Sequence, residues 1–598
     1  MPHYAAPIRD MRFLLHEVFG AEDFLASLEM PEELSAELMD AIVEEAARIC
    51  EDLLAPLNQP GDQQGCRFDD GKVLAPEGFR QAYRTFTDGG WGALTGDPAY
   101  GGQGMPKMLA VLFEEMLFAS NSSFALYPIL TSGAAMALGL HGSDELKKRF
   151  LPKLYSGRWS GTMCLTEAHA GTDLGIMKTR AVARDDQSYS LTGSKIFITG
   201  GDHDLSDNII HFVLARLPDS PPGARGISLF LVPRLQVDEA GEVQGENGVS
   251  CGSIEHKMGI RGSATCVINF DNATGYLIGE EHQGLACMFT MMNYERLSMG
   301  LQGIGLADLS YQVARDYALE RIQGRSPAGP ENPDQIADAI IVHPDVRRML
   351  LTMRANILAG RALALFAATR LDIAKFGRDD DARQEAQQLV ELLTPIVKAY
   401  CTDRGFEDCV TGQQVLGGHG YIQEWGQEQA VRDARIAQIY EGTNGIQALD
   451  LMGRKTVRCD GAHFRVLAAE VSSFLERHRS IATLQPQFSA IQQACDDLAA
   501  LTDRIIEKSR HDPAEVGAAS YGYLEAMGIF LYGFMWGRIM VTAVTGPQQA
   551  DSFGGEYRDG LLQVGRFYFA RIMPRYRSVI EAIDSGADCL MALKPGQF

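Results

Sequence analysis

Several patterns are missing from this chain of 598 residues, and each absence removes a class of protein. The eleven cysteines are odd in number and none stands in a C-x-x-C pair, which argues against a disulfide framework and a zinc site. No other metal-ligand spacing occurs, so no metal is expected. A reducing, cytoplasmic setting follows from the same cysteine pattern. There is no acidic tail and no Lys/Arg run in the C-terminal extension, and the net charge is −23. Such a surface stays soluble and repels phosphate backbones and anionic lipid, so no nucleic-acid partner is expected. The opening "MPHYAAPIRDMRFLLHEVFG" places Arg9, Asp10, Arg12 and Glu17 ahead of any apolar run, which does not fit a signal peptide. The most apolar stretch, "AMGIFLYGFMWG" at 526–537, stops at Arg538 and is short for a bilayer. It reads as a buried helix, with a weak membrane-surface contact as the alternative. Repeats and low-complexity tracts are absent.

What is present is an ordinary globular composition, 46% hydrophobic and 22% charged, in a chain too long for one core. Residues 1–160 read as helices. "MPEELSAELMDAIVEEAARICEDLLAPLN" has helical apolar spacing, and "KMLAVLFEEMLFASNSSFALYPIL" reads as a mostly buried helix. From about 161 the period changes to two: "KTRAVARDDQSYSLTGSKIFITGG", "HFVLARL", "GISLFLVP", "SIEHKMGI" and "ATCVINFDN" read as short strands between turn residues. Helices resume near 284. One very long proline-free helix precedes the Pro-rich loop "GRSPAGPENPDQIAD", and two more long helices follow, as in an antiparallel bundle. The last 140 or so residues read as helical, with a polar loop at 545–560.

The expected boundaries are an N-terminal extension over 1–40, a helical domain over 41–160, a β-domain over 161–283, a bundle over 284–455 and a helical extension over 456–598. The fold class is α+β, mostly α: an N-terminal helical domain, a middle β-domain, a C-terminal four-helix bundle and an extra C-terminal helical domain.

Two stretches pose chemical questions. In "IYEGTNGIQ" (439–447), Glu441 sits at a glycine-rich break between two helices. It is either a solvated turn residue or a carboxylate placed where a ligand can approach the backbone. In "MCLTEAHAGTDLG" (163–175), turns at Gly171 and Gly175 expose backbone amides beside the Thr166 and Thr172 hydroxyls. Those donors suit the carbonyls and ring nitrogens of a planar polar ligand, although a plain strand-joining loop would look similar.

The set decides between these readings. "MCLTEAHAGTD", "GSKIFITGG", "KMGIRGSATCVINFDN", "QVLGGHGYIQE" and "IYEGTNGIQ" occur in this order. The chain thereby resembles the acyl-CoA dehydrogenase family over roughly residues 40 to 455. That resemblance implies FAD, oxidation of an acyl-CoA thioester to the trans-2-enoyl-CoA, and electron delivery to an electron-transfer flavoprotein. It also implies the helix–β–bundle fold. The long C-terminal extension is similar to the subgroup that includes 3-methylthiopropanoyl-CoA dehydrogenases and to some large fatty-acyl-CoA dehydrogenases.

Carried over by motif position, Glu441 matches the catalytic base, whose own N–H helps bind the thioester oxygen; Gly442 leaves room for that approach. Met163, Leu165, Thr166, Thr172, Phe197 and Thr199 match contacts to the isoalloxazine ring, with Phe197 in place of an aromatic that is commonly Trp. Thr443 matches the position that meets the FAD pyrophosphate or ribose. Gln414, Gly417 and Gly418 match a loop holding the adenosine end from a neighbouring subunit. Arg321 matches an arginine reaching the pyrophosphate across that contact, which implies a homo-oligomer, at least a dimer. Arg296 matches a residue near the substrate entrance. Glu295 stands where isovaleryl-CoA-type relatives place their base and is read here as part of an ion pair in the bundle. His169 and His419 are read as hydrogen-bonding loop residues. Departures from the family are Ala168 for Pro, Thr172 for Ser, and the missing Phe-Gly after Arg321. The expected substrate is a medium- or long-chain fatty acyl-CoA in β-oxidation, with 3-methylthiopropanoyl-CoA as the alternative. An acyl-CoA oxidase is a second reading. A DNA-binding flavoprotein relative is a remote third, opposed by the net charge. The C-terminal extension is expected to be structural.

Overall fold

The computed structural model describes residues 4–546 and 553–598; residues 547–552, within the polar loop expected at 545–560, lie outside the described residues. The chain forms two compact units. One comprises Arg48–Pro106 and Ser120–Ser298, the other Met1–Ala47, Lys107–Ala119 and Met299–Phe598.

The unit containing residues 120–298 is built on a seven-stranded sheet. Strand Thr265–Ile278 pairs with Tyr189–Thr199, which pairs with Arg180–Ala183, which meets Asn208–Arg216. Asn208–Arg216 pairs with Ile227–Pro233, which returns to Thr265–Ile278, so five strands close on themselves. Closure removes the exposed edges that an open sheet would present. Trp159–Cys164 and Val249–Ile254 add to the outside of this path. Strands Asn208–Arg216 and Ile227–Pro233 are buried on both faces. Phe212, Leu214, Leu229 and Leu231 feed one apolar cluster, while Val213, Ala215, Phe230 and Val232 feed another, as a period of two requires.

Two details differ from the sequence reading. "SIEHKMGI" is not a strand throughout: pairing stops at Ile254 and residues 255–264 form a loop. Within the region read as helical lies a hairpin of Arg67–Asp69 and Lys72–Leu74. Its turn is Asp70-Gly71, both at positive φ (46° and 74°). Asp-Gly suits such a two-residue turn because its twist matches the strands.

The helix Lys107–His141 contains one break. Asn121 has φ −159° and ψ 88°. Its side-chain oxygen accepts from the Phe124 N–H at 3.0 Å, so Asn121 caps the second half of the helix.

The other unit is helical. Pro344–Phe376 and Asp380–Val415 form an antiparallel pair across a three-residue link, with Asp379 capping the second helix. The extension contributes Ala462–His478, Gln485–His511, Ala514–Thr545, Gly554–Phe567 and Tyr576–Asp584. "AMGIFLYGFMWG" is buried in Ala514–Thr545, as expected, but the helix continues past Arg538. By length and composition this helix and Lys107–His141 could each cross a membrane; both are mostly buried inside the fold. Ala514–Thr545 is fused to the bundle by close contacts. The Trp536 indole donates to the Ala355 carbonyl at 3.1 Å, and Gly528 lies flat against the Tyr400 ring, where a Cβ would approach to 2.2 Å.

A buried charge network joins the N-terminal segment, the bundle and the extension. Arg361, 1% exposed, donates to Glu115 at 2.5–2.9 Å and lies 3.4 Å from Asp308 and 3.5 Å from Asp10. Arg354 pairs with Asp10 through two bonds of 2.5 and 2.7 Å, and the Tyr557 hydroxyl donates to Asp10 at 2.6 Å. Burial pushes the Asp10 carboxyl up, but Arg354, Arg361 and Tyr557 outweigh it and hold the group at about 2.

Candidate functional site

The residues singled out from the sequence fall into two groups, one in each unit.

In the β-unit, Met163 is at the end of strand Trp159–Cys164, and Leu165 and Thr166 follow it directly. The Thr166 carbonyl accepts from the Ile196 N–H at 2.9 Å, which brings this loop beside Phe197 and Thr199 of the neighbouring strand. Phe197 has φ +60° and its ring is 59% exposed. A bulky residue in the left-handed region is strained, and an open aromatic face in a strand is costly; together they mark a place where the surface expects a flat partner. Thr172 stands exposed on the same loop, and Thr166 and Thr199 are half-buried.

The loop is held from beneath. Lys195, 0% exposed, donates to the Leu165 carbonyl at 2.9 Å and to Glu167 at 3.0 Å. Glu167 also accepts from the Lys178 N–H (2.7 Å), the Thr179 N–H (2.9 Å) and the Thr179 hydroxyl (2.6 Å). Burial raises the Glu167 carboxyl, but Lys195 and these donors outweigh it and bring it to about 2. Sequence reading passed over both residues, although a Lys in the strand "GSKIFIT" was a signal: a buried charge needs a partner.

In the helical unit, Glu441 and Gly442 form the break between the helical segments Gln427–Arg435 and Asn444–Leu449. Both have positive φ, 56° and 82°. Two successive left-handed residues turn the chain sharply, and for glutamate this costs about 1–2 kcal/mol. Buried donors offset that cost. Gln447, 0% exposed, gives its amide to the Glu441 carbonyl at 3.0 Å. Lys398, also 0% exposed, donates to the Gly442 carbonyl and to the Asn444 amide oxygen, each at 2.8 Å. A Cβ at residue 442 would meet the Gln447 amide at 2.7 Å and displace the donor that holds the Glu441 carbonyl, so glycine is favoured there beyond its φ. The Glu441 carbonyl is thus tied down, and the residue itself is half-exposed. Thr443 serves as the cap of Asn444–Leu449, accepting from the Ile446 N–H at 3.3 Å.

Arg321 is exposed just past the helix Gly284–Glu320. One turn earlier, the Tyr317 hydroxyl pairs with His419 Nδ1 at 2.8 Å, which sets Arg321's helix end beside the Gly417–Gly418 loop. His419 also stacks on Trp425 at 4.7 Å. Gln414, Gly417 and Gly418 are exposed, and a Cβ on either glycine would meet nothing within 4 Å. The Pro-rich loop after Arg321 is organised by Asp338, which accepts from Ser326, Glu331 and Asn332 N–H groups and pairs with Arg325 at 3.2 Å. His169 bonds the Ile176 carbonyl at 3.1 Å. Glu295 is fully buried, with its carboxylate against Gly133. Arg296 is buried beside Asn293 and over the Phe289 ring.

A half-exposed carboxylate on a strained turn in one unit, and an exposed aromatic side chain beside a hydroxyl-bearing loop in the other, fit a flavin-dependent dehydrogenase. The chain belongs to the acyl-CoA dehydrogenase family. Its residues match, in order, the acyl-CoA dehydrogenase N-terminal domain (37–158), middle domain (162–273) and C-terminal domain (282–455), then an acetyl-CoA dehydrogenase C-terminal-like domain (467–594). It is 44% identical over 535 residues to 3-methylmercaptopropionyl-CoA dehydrogenase of Ruegeria pomeroyi, covering 89% of this chain and 90% of that one. It is 32% identical over 620 residues to the broad-specificity linear acyl-CoA dehydrogenase FadE5 of Mycobacterium tuberculosis, covering the whole of both. Caenorhabditis elegans ACDH-11, solved in complex with C11-CoA, shares the fold with a TM-score of 0.79 at 18% identity, over 98% of this chain and 95% of that one.

The protein is an acyl-CoA dehydrogenase, and the family's cofactor is FAD. The residues present in each unit fit parts of that group: in one, the exposed Phe197 can lie against a flat heterocycle, with Thr166, Thr172 and Thr199 on the adjoining segments; in the other, the two open glycines admit a ligand close to the backbone.

The Lys195–Glu167 pair makes this testable. Lys195→Met removes the donor to the Leu165 carbonyl and leaves Glu167 without its cation. The protein is expected to purify partly depleted of FAD and to lose about 3 kcal/mol, as when one partner of a buried pair is deleted. The pH dependence follows from the sign. Glu167 is held below its ordinary value, so its stabilisation is present above the usual carboxylate range and is lost as pH falls through about 2. Without Lys195 that loss begins at higher pH. Bound-flavin absorbance and Tm against pH check both points.

Proposed function

We propose that this enzyme oxidises an unbranched acyl-CoA at its α,β-carbons to the trans-2-enoyl-CoA, with Glu441 as the base that takes the α-proton. The observation that carries this reading is the left-handed Glu441-Gly442 turn, clamped at its carbonyls by Lys398 and Gln447, with Glu441 half-exposed. The hydrogen α to a thioester carbonyl is weakly acidic. A carboxylate that loses water when substrate seats itself has its pKa raised and becomes a stronger base. The Glu441 N–H can donate to the thioester oxygen, stabilising charge that develops as the proton leaves. When bound, FAD supplies the acceptor for the hydride that departs from the β-carbon. Met163, Leu165, Thr166, Thr172, Phe197 and Thr199 would hold its ring. Thr443, Gln414, Gly417, Gly418 and Arg321 would hold its pyrophosphate and adenosine end, the last four in a homodimer. Arg296 lines the substrate entrance in this reading.

The acyl group has two supported readings. A medium or long linear chain is supported by the printed broad linear specificity of FadE5, matched along the entire chain. A 3-methylmercaptopropionyl group is supported by the Ruegeria relative at 44% identity. Both are linear. The experiment is anaerobic flavin bleaching across straight-chain acyl-CoAs from four to sixteen carbons, with 3-methylmercaptopropionyl-CoA in the same series. The highest kcat/KM names the substrate; no bleaching with any of them overturns the activity. The proposed electron acceptor is an electron-transfer flavoprotein, and rapid mixing of reduced enzyme with oxygen separates this from an oxidase. A reducing cytoplasmic location is supported by eleven free cysteines.

A further inference from the structure

The sequence reading treated the C-terminal extension as structural. One of its side chains, however, reaches the residues that hold the Glu441 turn. Asp403, on the helix Asp380–Val415, is 7% exposed. Its Oδ1 accepts from Gln438 Nε2 at 2.6 Å and from Asn444 Nδ2 at 2.7 Å. Gln438 lies three residues before Glu441 and Asn444 three residues after, so one carboxylate ties both flanks of the turn. Asn444 in turn fixes Lys398, which donates to the Gly442 carbonyl. The remaining oxygen, Oδ2, accepts from the Tyr521 hydroxyl at 2.7 Å. Tyr521 belongs to Ala514–Thr545, the central helix of the extension.

We propose that Tyr521 is a positioning residue for proton abstraction: through Asp403 it orients the Gln438 and Asn444 side chains that set the Glu441 turn. The proposal rests on Glu441 being the base. The physical argument is one of rotation. A carboxylate with donors on only one oxygen can swing about its Cβ–Cγ bond; a third donor on the other oxygen fixes it, and with it both flanks. Burial and the neighbouring Asp403 raise the Tyr521 pKa, so the hydroxyl keeps its proton and remains a donor. The extension therefore acts on the catalytic turn through a chain of hydrogen bonds.

The test is Tyr521→Phe in the full-length holoenzyme. Tyr521 is 48% exposed, and Phe keeps the ring, so the fold should survive. The expected result is flavin bleaching slowed about tenfold, the scale of one hydrogen bond to a carboxylate, with substrate Kd unchanged. The α-deuterium isotope effect should grow and the pH profile of bleaching should shift, because proton transfer becomes more limiting. The control is Tyr523→Phe, which removes a 2.8 Å bond to Thr502 wholly inside the extension; it should lower Tm and leave the isotope effect and the pH profile unchanged. If Tyr521→Phe bleaches at the wild-type rate, or if both variants slow equally with no change in isotope effect, the positioning role is wrong. If Glu441→Gln also bleaches at the wild-type rate, it is the assignment of the base that has failed.

Discussion

Glu441→Gln should bind FAD and acyl-CoA as the native enzyme does and bleach its flavin about 10²–10⁴-fold more slowly, the usual contribution of a positioned general base. The substitution keeps the size of the side chain and leaves the backbone of the turn untouched. Lys398 and Gln447 hold the carbonyls of the turn, so the left-handed conformation should persist. The loss therefore belongs in kcat, with Kd for substrate nearly unchanged. Glu295→Gln is the necessary comparison. Glu295 is fully buried against Gly133, so its substitution should change Tm and alter the bleaching rate only modestly. The reverse pattern, rapid bleaching by Glu441→Gln and slow bleaching by Glu295→Gln, would show that the base sits on the Gly284–Glu320 helix instead.

Arg361→Met should produce the largest loss of stability of any single change considered, about 3–5 kcal/mol at neutral pH. Arg361 is almost completely buried and faces three carboxylates, Glu115, Asp308 and Asp10. Asp10 keeps Arg354 and Tyr557; Glu115 and Asp308 lose a shared cation in a site shielded from water. The Glu115 carboxyl, already pushed up by burial, loses the guanidinium that holds it down, and its pKa should rise further in the folded variant. By linkage, a group whose folded pKa is raised binds a proton more tightly in the native state, so the variant's stability should fall as pH rises towards that new value. Arg361→Met should thus be least impaired in mild acid. Tm measured from pH 5 to pH 8 checks both size and sign; a loss that is flat with pH would mean that packing, not charge, dominates.

Much of this protein was legible in its sequence because its strongest signals are local. The alternation in "HFVLARL" and "GISLFLVP" marks strands whatever surrounds them, and the long apolar spacing of 284–320 can only be a helix. The glycine-bounded Glu441 could be singled out because a break between helices is itself a local event. The Asp70-Gly71 hairpin was equally local and was overlooked, since two three-residue strands carry too few side chains to show a period. "SIEHKMGI" (253–260) alternates as a strand does, yet its ladder pairing ends at Ile254 and the rest is loop.

The sequence by itself determined the kind of elements, the family, and the candidate base with its glycine, because these depend on residues close together in the chain. The tertiary structure alone decided what holds that base. Lys398 and Asp403 share one helix and Tyr521 lies on another more than a hundred residues on, and each looks like an ordinary polar residue on its own helix. The same holds for Arg361 with Asp10, Glu115 and Asp308, which become partners only when the N-terminal segment and three helices are packed together. Burial turns an unremarkable charge into one that must be paired, and burial is a property of the assembled fold.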